Sequence, residues 1–321
     1  MAPQPRLAVE SIPGKRPYQE DSVFADVLTD GRTLVAVADG MGGHAAGEVA
    51  SALALRTLQD ALTEGRELGD AFRIANARVH QMASEPGKQG MGTTMTAVLV
   101  EGSQFRVANV GDSRVYLISD SGIRQLTDDH SFVAEAMKRG QSKAEAMATP
   151  WRDALTRSIG TEEDVDVDIF GPFPLEHDSA FVICSDGLYK TLTDDDLRKL
   201  FVRSGGPRGA AQAMVSAAFD GGSDDNISVA IAEYGEVRRG GESTTMVLSF
   251  DGGSAGKGAS ATSIDQPAVL SSQPAPVLDT PARAPEAAVD GDAPEAGFPT
   301  GALVAVAVVV AAVAAILVFR G

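Results

Sequence analysis

Carboxylates placed directly against apolar runs are the groups in this 321-residue chain best suited to chemistry. Leu34-Val35-Ala36-Val37-Ala38 stops at Asp39-Gly40. An apolar run of this length, bounded by a turn signal, predicts a buried strand. A carboxylate at the end of such a strand is held rigidly, and it is costly to desolvate unless positive charge meets it. Gly40, Gly42 and Gly43 then allow a tight turn that brings backbone carbonyls close to a ligand. The pattern recurs where Phe181-Val182-Ile183-Cys184 ends in Ser185-Asp186-Gly187, and where Asp224-Asp225-Asn226 leads into the apolar residues 227–231. Gly111-Asp112-Ser113-Arg114 is a further acidic turn at a strand end. Asp39, Asp186 and Asp225 are therefore the raw material of a hard-cation site.

The candidate ligands are oxygens, with no paired His or Cys, which suits Mg²⁺ or Mn²⁺ rather than Zn²⁺. Two such ions a few ångströms apart can activate a bridging water and stabilise in-line displacement at phosphorus. Near the N-terminus, Arg16-Pro17-Tyr18-Gln19-Glu20-Asp21 offers one guanidinium and two adjacent carboxylates. Arginine binds phosphate bidentately, so this segment fits a phosphoester site. No Cys or Ser nucleophile has a base beside it, and there is no GxxxxGK[ST] loop, which excludes nucleotide hydrolysis by that route.

The elements that must position these groups are partly legible. Residues 1–20 are polar and carry no apolar core of a signal peptide. Residues 45–62 read as a helix. Leu68, Phe72, Ala75, Val79 and Met82 recur at helical spacing and predict a second. His44 and His80 read as structural. Residues 93–100, 104–110 and 114–118 read as strands, with a hairpin turn at Ser119-Asp120-Ser121-Gly122. Helices followed by a β meander make an α+β chain rather than a doubly wound sheet. His130-Ser131 can cap a helix over 132–139, and residues 140–151 are short-helical at best, as either a lid or a plain connection. Val165, Val167 and Ile169 alternate with aspartates and predict a half-exposed strand. Thr193 is an N-cap whose following aspartates occupy a helix's first turn, and Pro207 opens the next helix. The last strand ends near Tyr234.

Composition narrows the function classes. A net charge of −17 excludes a general nucleic-acid binder. The single cysteine, Cys184, excludes a disulfide framework and reads as a small core residue. Three segments are expected: a folded domain over 1–236, a Gly/Ser/Ala/Pro-rich disordered linker over 237–300, and a transmembrane helix over 301–320. Residues 302–319 are uninterruptedly apolar and would span roughly 27 Å as a helix, close to a ~30 Å hydrocarbon core.

Taken in order, Arg16…Glu20-Asp21, Asp39-Gly40-Met41-Gly42-Gly43-His44, Gly92-Thr93-Thr94, Gly111-Asp112-Ser113-Arg114, Asp129-His130-Ser131, Ser185-Asp186-Gly187 and Asp225-Asn226 resemble the bacterial form of the PP2C (PPM) family of metal-dependent serine/threonine protein phosphatases. The resemblance covers roughly residues 6–235. It implies an α-β-β-α sandwich, two central β-sheets flanked by helices, with Mn²⁺ or Mg²⁺ in a cleft at one end. It further implies that Asp39 bridges two metals, that Asp186 and Asp225 ligate one of them, and that the Gly40 carbonyl ligates the other. Glu20 and Asp21 would hold metal-bound waters, Arg16 would bind the substrate phosphate, and Asp112 would ligate a third, weaker metal. Residues 140–151 would fall in the flap that shapes substrate access.

Three positions depart from the family pattern. Gln19 replaces a common Asn and keeps its hydrogen-bonding capacity. Met41 replaces a histidine that serves some eukaryotic relatives as a proton donor. Lys190, four residues after Asp186, replaces an aspartate that helps hold the third metal, and a lysine there repels a cation. The expectation is a protein phosphatase that attacks phosphoserine and phosphothreonine with a water bridging two metals. It is expected to be tethered to the cytoplasmic face of the cell membrane by its C-terminal helix and opposed by a Ser/Thr kinase. The alternative is a catalytically weak phosphoprotein-binding scaffold of the same fold.

Overall fold

Both faces of the central strands are covered, which is why they read as unbroken apolar runs rather than as alternations. The computed structural model describes residues 4–43 and 45–237. In chain order the elements begin with β1 (Arg6–Ile12), β2 (Asp21–Val27), β3 (Thr33–Met41), α1 (Ala45–Thr63) and α2 (Leu68–Ala83). A meander follows: β4 (Gly92–Thr93), β5 (Met95–Glu101), β6 (Gln104–Val110), β7 (Arg114–Ser119) and β8 (Gly122–Gln125). Then come α3 (Phe132–Lys138), α4 (Lys143–Met147), β9 (Asp168–Pro174) and β10 (Ser179–Cys184). The last elements are α5 (Asp186–Tyr189), α6 (Asp194–Arg203), α7 (Pro207–Asp220) and β11 (Ile227–Tyr234).

The strands form two antiparallel sheets. One is five-stranded in the order β1-β11-β10-β7-β8; the other runs β2-β3-β5-β6-β9, with β4 paired to β3. Successive side chains on a strand point to opposite faces. Val35 and Val37 of β3 therefore join Phe181 and Ile183 of β10 and Ala230 and Ala232 of β11 in a core between the sheets. Leu34, Ala36 and Ala38 face the other way and pack with Leu58, Leu62, Phe72 and Val79 of α1 and α2. On the opposite outer face Val182, Cys184, Val229 and Ile231 pack with Leu197, Phe201 and Met214 of α6 and α7. The result is the four-layer α-β-β-α sandwich. Cys184 is fully buried, as its strand position predicts.

Several expectations need correction. Residues 6–12 form β1, within a stretch that the sequence reading takes only as polar and without a signal-peptide core; β1 pairs with β11 at the sheet edge and none of its residues is fully buried. An edge strand without a buried face carries little apolar signal. The strand predicted over 164–169 begins only at Asp168, which pairs with Asn109, one residue before β6 ends at Val110. Val165 and Val167 pack against the helix-side core without being in a strand. The run ending at Asp39 does not stop there: β3 continues through Gly40 and Met41, which pair with Thr93 and Gly92. Val237 lies in the core beside α6 and α7, one residue past the expected domain boundary. His44, the linker from residue 238 and the transmembrane helix over 301–320 lie outside the described residues. Among the described residues no helix is long and apolar enough to cross a membrane.

Gly40 shows how tightly the strand end is packed. A Cβ at this position would collide with the backbone carbonyls of Gly47, in the first turn of α1, and of Glu20. Gly40→Ala is expected to cost about 1–3 kcal/mol of folding stability by overpacking, read from denaturant unfolding. Gly205→Ala, where an added Cβ meets nothing within 4 Å, is expected to stay within about 0.5 kcal/mol of the parent.

Candidate metal centre

The position of Asp39 is fixed through its main chain. Thr94 donates its N–H to the Asp39 carbonyl at 2.8 Å, and the Asp39 N–H donates to Thr94 Oγ1 at 2.9 Å. Thr93 Oγ1 adds a second bond to the same carbonyl at 2.8 Å. Thr94 Oγ1 in turn lies 2.8 Å from Ser113 Oγ, which ties the Gly92-Thr93-Thr94 segment to the turn bearing Asp112. That turn is held from behind by His130. The Gly111 N–H donates to His130 Nδ1 at 3.1 Å, so Nε2 carries the proton and donates to Asp168 at 3.0 Å. Burial holds His130 below the ordinary histidine value and keeps it neutral, consistent with this tautomer. Next to the same turn, Arg114 grips Asp129 with two bonds of 2.9 and 2.7 Å.

The N-terminal motif is stapled by Asn226. Its Oδ1 accepts the Glu20 N–H at 2.8 Å, and its Nδ2 donates to the carbonyls of Pro13 and Tyr18 at 3.0 and 2.9 Å. Asp186 is the first residue of α5, just past the end of β10. Gly187 is required beside it, since a Cβ there would strike the Asn226 carbonyl.

These clamps converge on one open cleft of about 470 Å³. Its walls include Arg16, Glu20, Asp39, Gly40, Asp112, Asp186 and Asp225, so all but one of the expected site residues meet there. The exception is Asp21, which stands directly opposite Asp39 in the β2–β3 pairing but behind the cleft wall, only 7 % exposed. Its Oδ2 accepts from Ser185 Oγ at 2.8 Å. The expected flap residues 140–151 do not line the cleft; Asp153, Ala154 and Leu155, just beyond them, do. Sequence reading missed Asp153 because a lone acid in a polar loop carries no pattern.

Gathering these carboxylates is electrostatically costly. Burial, and then the charges of Asp21, Asp186, Asp112 and Asp225, push Asp39 well above the usual carboxylate range. Burial pushes Asp21 from an ordinary 3.8 up to about 7, against the pull of its hydroxyl partners and with the help of the Asp186 charge. Asp112 likewise reaches about 7, from burial first and Asp186 second. Asp225 is raised by burial and by Asp186, while Arg16 pulls it down. Asp21 Oδ1 and Asp186 Oδ1 are buried with no hydrogen-bond partner. Buried, unpartnered, mutually repelling carboxylate oxygens call for a cation, so the donor set fits hard divalent ions.

The set is not closed around one point: among the described residues no three His, Cys, Asp or Glu side chains meet closely enough to hold an ion. Two carboxylates instead face protein cations. Arg16 Nη2 lies 2.9 Å from Asp225 Oδ2, and Lys190 Nζ lies 2.6 Å from Asp186 Oδ2. Arg16 also donates from Nε to the Asp224 carbonyl at 3.0 Å, which leaves further donors of its fork for an anion at the rim.

Fold and cleft together define a protein built for hard-cation chemistry on phosphate, and the comparisons with known proteins agree. The family model described as "Protein phosphatase 2C" matches residues 15–216. The "Serine/threonine phosphatase stp" of Listeria welshimeri is 36% identical over 237 residues, covering 70% of this chain and 94% of the relative. The solved serine/threonine phosphatase of S. agalactiae superposes with a TM-score of 0.66 at 30% identity, over 73% of this chain and 100% of the other. The catalytic domain of the serine/threonine protein phosphatase PstP, solved in complex with two manganese ions, superposes with a TM-score of 0.60 at 31% identity, over 71% of this chain and 97% of that one. The chain belongs to the protein phosphatase 2C family.

The raised carboxyl groups carry a pH signature. A carboxyl whose folded value exceeds its unfolded one costs no stability below its ordinary 3.8, and costs progressively more as pH rises through about 7. Protons and metal compete for the same oxygens. Added Mn²⁺ is therefore expected to raise the thermal unfolding midpoint more at about pH 8 than at about pH 5, measured against chelator at each pH. An equal shift at both would show that the cluster is not what binds the ion.

Proposed function

We propose that this chain hydrolyses phosphoserine and phosphothreonine in proteins at the carboxylate cleft, by a two-metal mechanism, while tethered to the cytoplasmic face of the membrane. As a member of the protein phosphatase 2C family it is a metal-dependent serine/threonine phosphatase that uses Mn²⁺ or Mg²⁺. The observation that carries the reading is the convergence of Asp39 with Asp186 and Asp225, from the two different sheets, in one cleft rimmed by Arg16. Asp39 is assigned to both ions, Asp186 and Asp225 to one, and the Gly40 carbonyl to the other. Glu20 and Asp21 are assigned to the water shell. When bound, the ions supply a water acidic enough to act as nucleophile and neutralise charge at the phosphoryl group.

The remaining work falls to the chain's own residues. Arg16 donates from the rim to the non-bridging phosphate oxygens and orients the ester for in-line attack. Asp39, clamped by Thr93 and Thr94, keeps the donor set from shifting as charge develops. Met41 lines the cleft but has no proton to give, and no histidine is among the described residues that line it. The leaving serine or threonine alkoxide then takes its proton from a water in the open cleft or from another group. Phosphorylated side chains arise only by phosphoryl transfer, so a Ser/Thr kinase is assigned as the source of substrate.

Phosphate release from a phosphothreonine peptide is expected to require Mn²⁺, to stop with chelator, and to fall by at least about a thousandfold in Asp39→Asn, which keeps the shape and removes the charge. No turnover by folded, Mn²⁺-loaded protein would sink the enzyme reading and leave a phosphoprotein-binding module. The tether rests on the apolar residues 302–319. The full chain is expected in the membrane fraction, and a chain ending after Val237 in the soluble fraction with its activity kept; a shortened chain that still sediments with membranes would remove the tether.

A further inference from the structure

Lys190 sits where an aspartate would be needed to hold a third cation, and its surroundings show what it does instead. It follows the single turn of α5, four residues after Asp186, so both side chains lie on one face. Its Nζ donates to Asp186 Oδ2 at 2.6 Å and lies 3.8 Å from Asp153 Oδ1. Its charge also acts on Asp112, whose Oδ2 accepts from the neighbouring Tyr189 hydroxyl at 3.3 Å. Two carboxylates, Asp186 and Asp153, thus share one ammonium, and Asp112 is tied to the residue beside it, Tyr189. Asp186 comes from the start of α5, Asp112 from the turn between β6 and β7, and Asp153 from the loop after α4.

Two details give this arrangement a role. First, Asp186 is divided: Oδ2 is taken by Lys190, while Oδ1 is buried without a hydrogen-bond partner. An ammonium on one oxygen fixes which oxygen remains for a metal, as second-layer partners of metal ligands do. Second, the loop carrying Asp153 is anchored on its far side. The Phe132 N–H donates to the Ala154 carbonyl at 2.8 Å, and the Thr156 N–H to the His130 carbonyl at 2.9 Å. Asp153 is the acid between that anchor and Lys190, and the cleft-lining residues Ala154 and Leu155 follow it directly.

We propose that Lys190 is a positioning residue that replaces a third metal ion with a fixed protein cation, orienting Asp186 and drawing the Asp153 loop onto the cleft. The inference rests on the two-metal reading above. A divalent ion at the same place would face direct repulsion, so Asp112 serves here as a partner of Tyr189 rather than as a metal ligand. The tie to Asp153 is a long, solvent-exposed pair, with side chains 49 % and 67 % exposed, and acts as a bias on the loop rather than a lock.

The test is a calorimetric Mn²⁺ titration of the full-length chain in detergent, with hydrogen exchange over residues 149–156 read on the same Mn²⁺-loaded samples. The parent and Lys190→Arg are expected to take two ions, and Lys190→Asp a third, weaker one. If Lys190→Asp does not fold, Lys190→Glu asks the same question, because it too replaces the ammonium with a carboxylate. Asp153→Asn is expected to leave the ion count at two and to raise exchange over 149–156 about two- to fivefold, while Lys190→Arg leaves exchange unchanged. A third ion in the parent would overturn the proposal, as would two ions in folded Lys190→Asp or Lys190→Glu. Unchanged exchange in Asp153→Asn would remove the loop's part in it. No Mn²⁺ binding at all would overturn the two-metal reading, and this inference with it.

Discussion

Repulsion among buried carboxylates is the constraint that the rest of this domain is arranged to bear. Asp21, Asp39, Asp112 and Asp225 are all raised above their ordinary values, by burial first and then by one another and Asp186. Left to themselves such groups would move apart or take up protons. They are held because they belong to two sheets glued face to face. Asp21 and Asp39 sit on paired strands of one sheet; Asp186 and Asp225 sit at the ends of neighbouring strands of the other. Between them lies the apolar layer of Val35, Val37, Phe181, Ile183 and Ala230. Each side chain of that layer contributes roughly 1–3 kcal/mol of burial, and together they hold the charges in place.

Apolar packing brings the sheets together but does not aim the side chains. That is the work of a set of polar residues, each bonding a specific backbone group or carboxylate. Thr94 clamps Asp39, Asn226 staples the Glu20 loop, Ser185 holds Asp21, and His130 props the Asp112 turn. Most are fully or nearly buried, where an unmade hydrogen bond would be expensive. Around this frame the protein places two cations of its own, Arg16 against Asp225 and Lys190 against Asp186. One stands at the rim of the cleft; the other stands behind Asp186.

The strands and helices that bury a face were legible from pattern, because burial and periodicity are the same fact seen in structure and in sequence. β3, β10, β11, α1 and α2 came through in this way, and Thr193 announced the start of α6 with a capping box that the structure contains. The failures share a cause. β1 has no buried face and is a strand only because β11 offers an edge. Residues 164–167 alternate as a strand should, yet β6 ends one residue past the partner of Asp168. Asp153 reaches the cleft because the backbone bonds of Phe132 and Thr156 set its loop there, over a distance that no local pattern encodes.

By itself, the sequence determined the groups available for chemistry: carboxylates at strand ends, an arginine to accompany them, and the family motifs in order. It also determined the departure at Lys190, since a residue's charge is local and needs no fold to be read. Only the tertiary structure decided which acids share a cleft, that Asp21 stands behind it, and that the Lys190 ammonium meets Asp153. Those outcomes depend on distances between segments far apart in the chain. Such distances are set by how two sheets stack, and electrostatic energy depends on them directly.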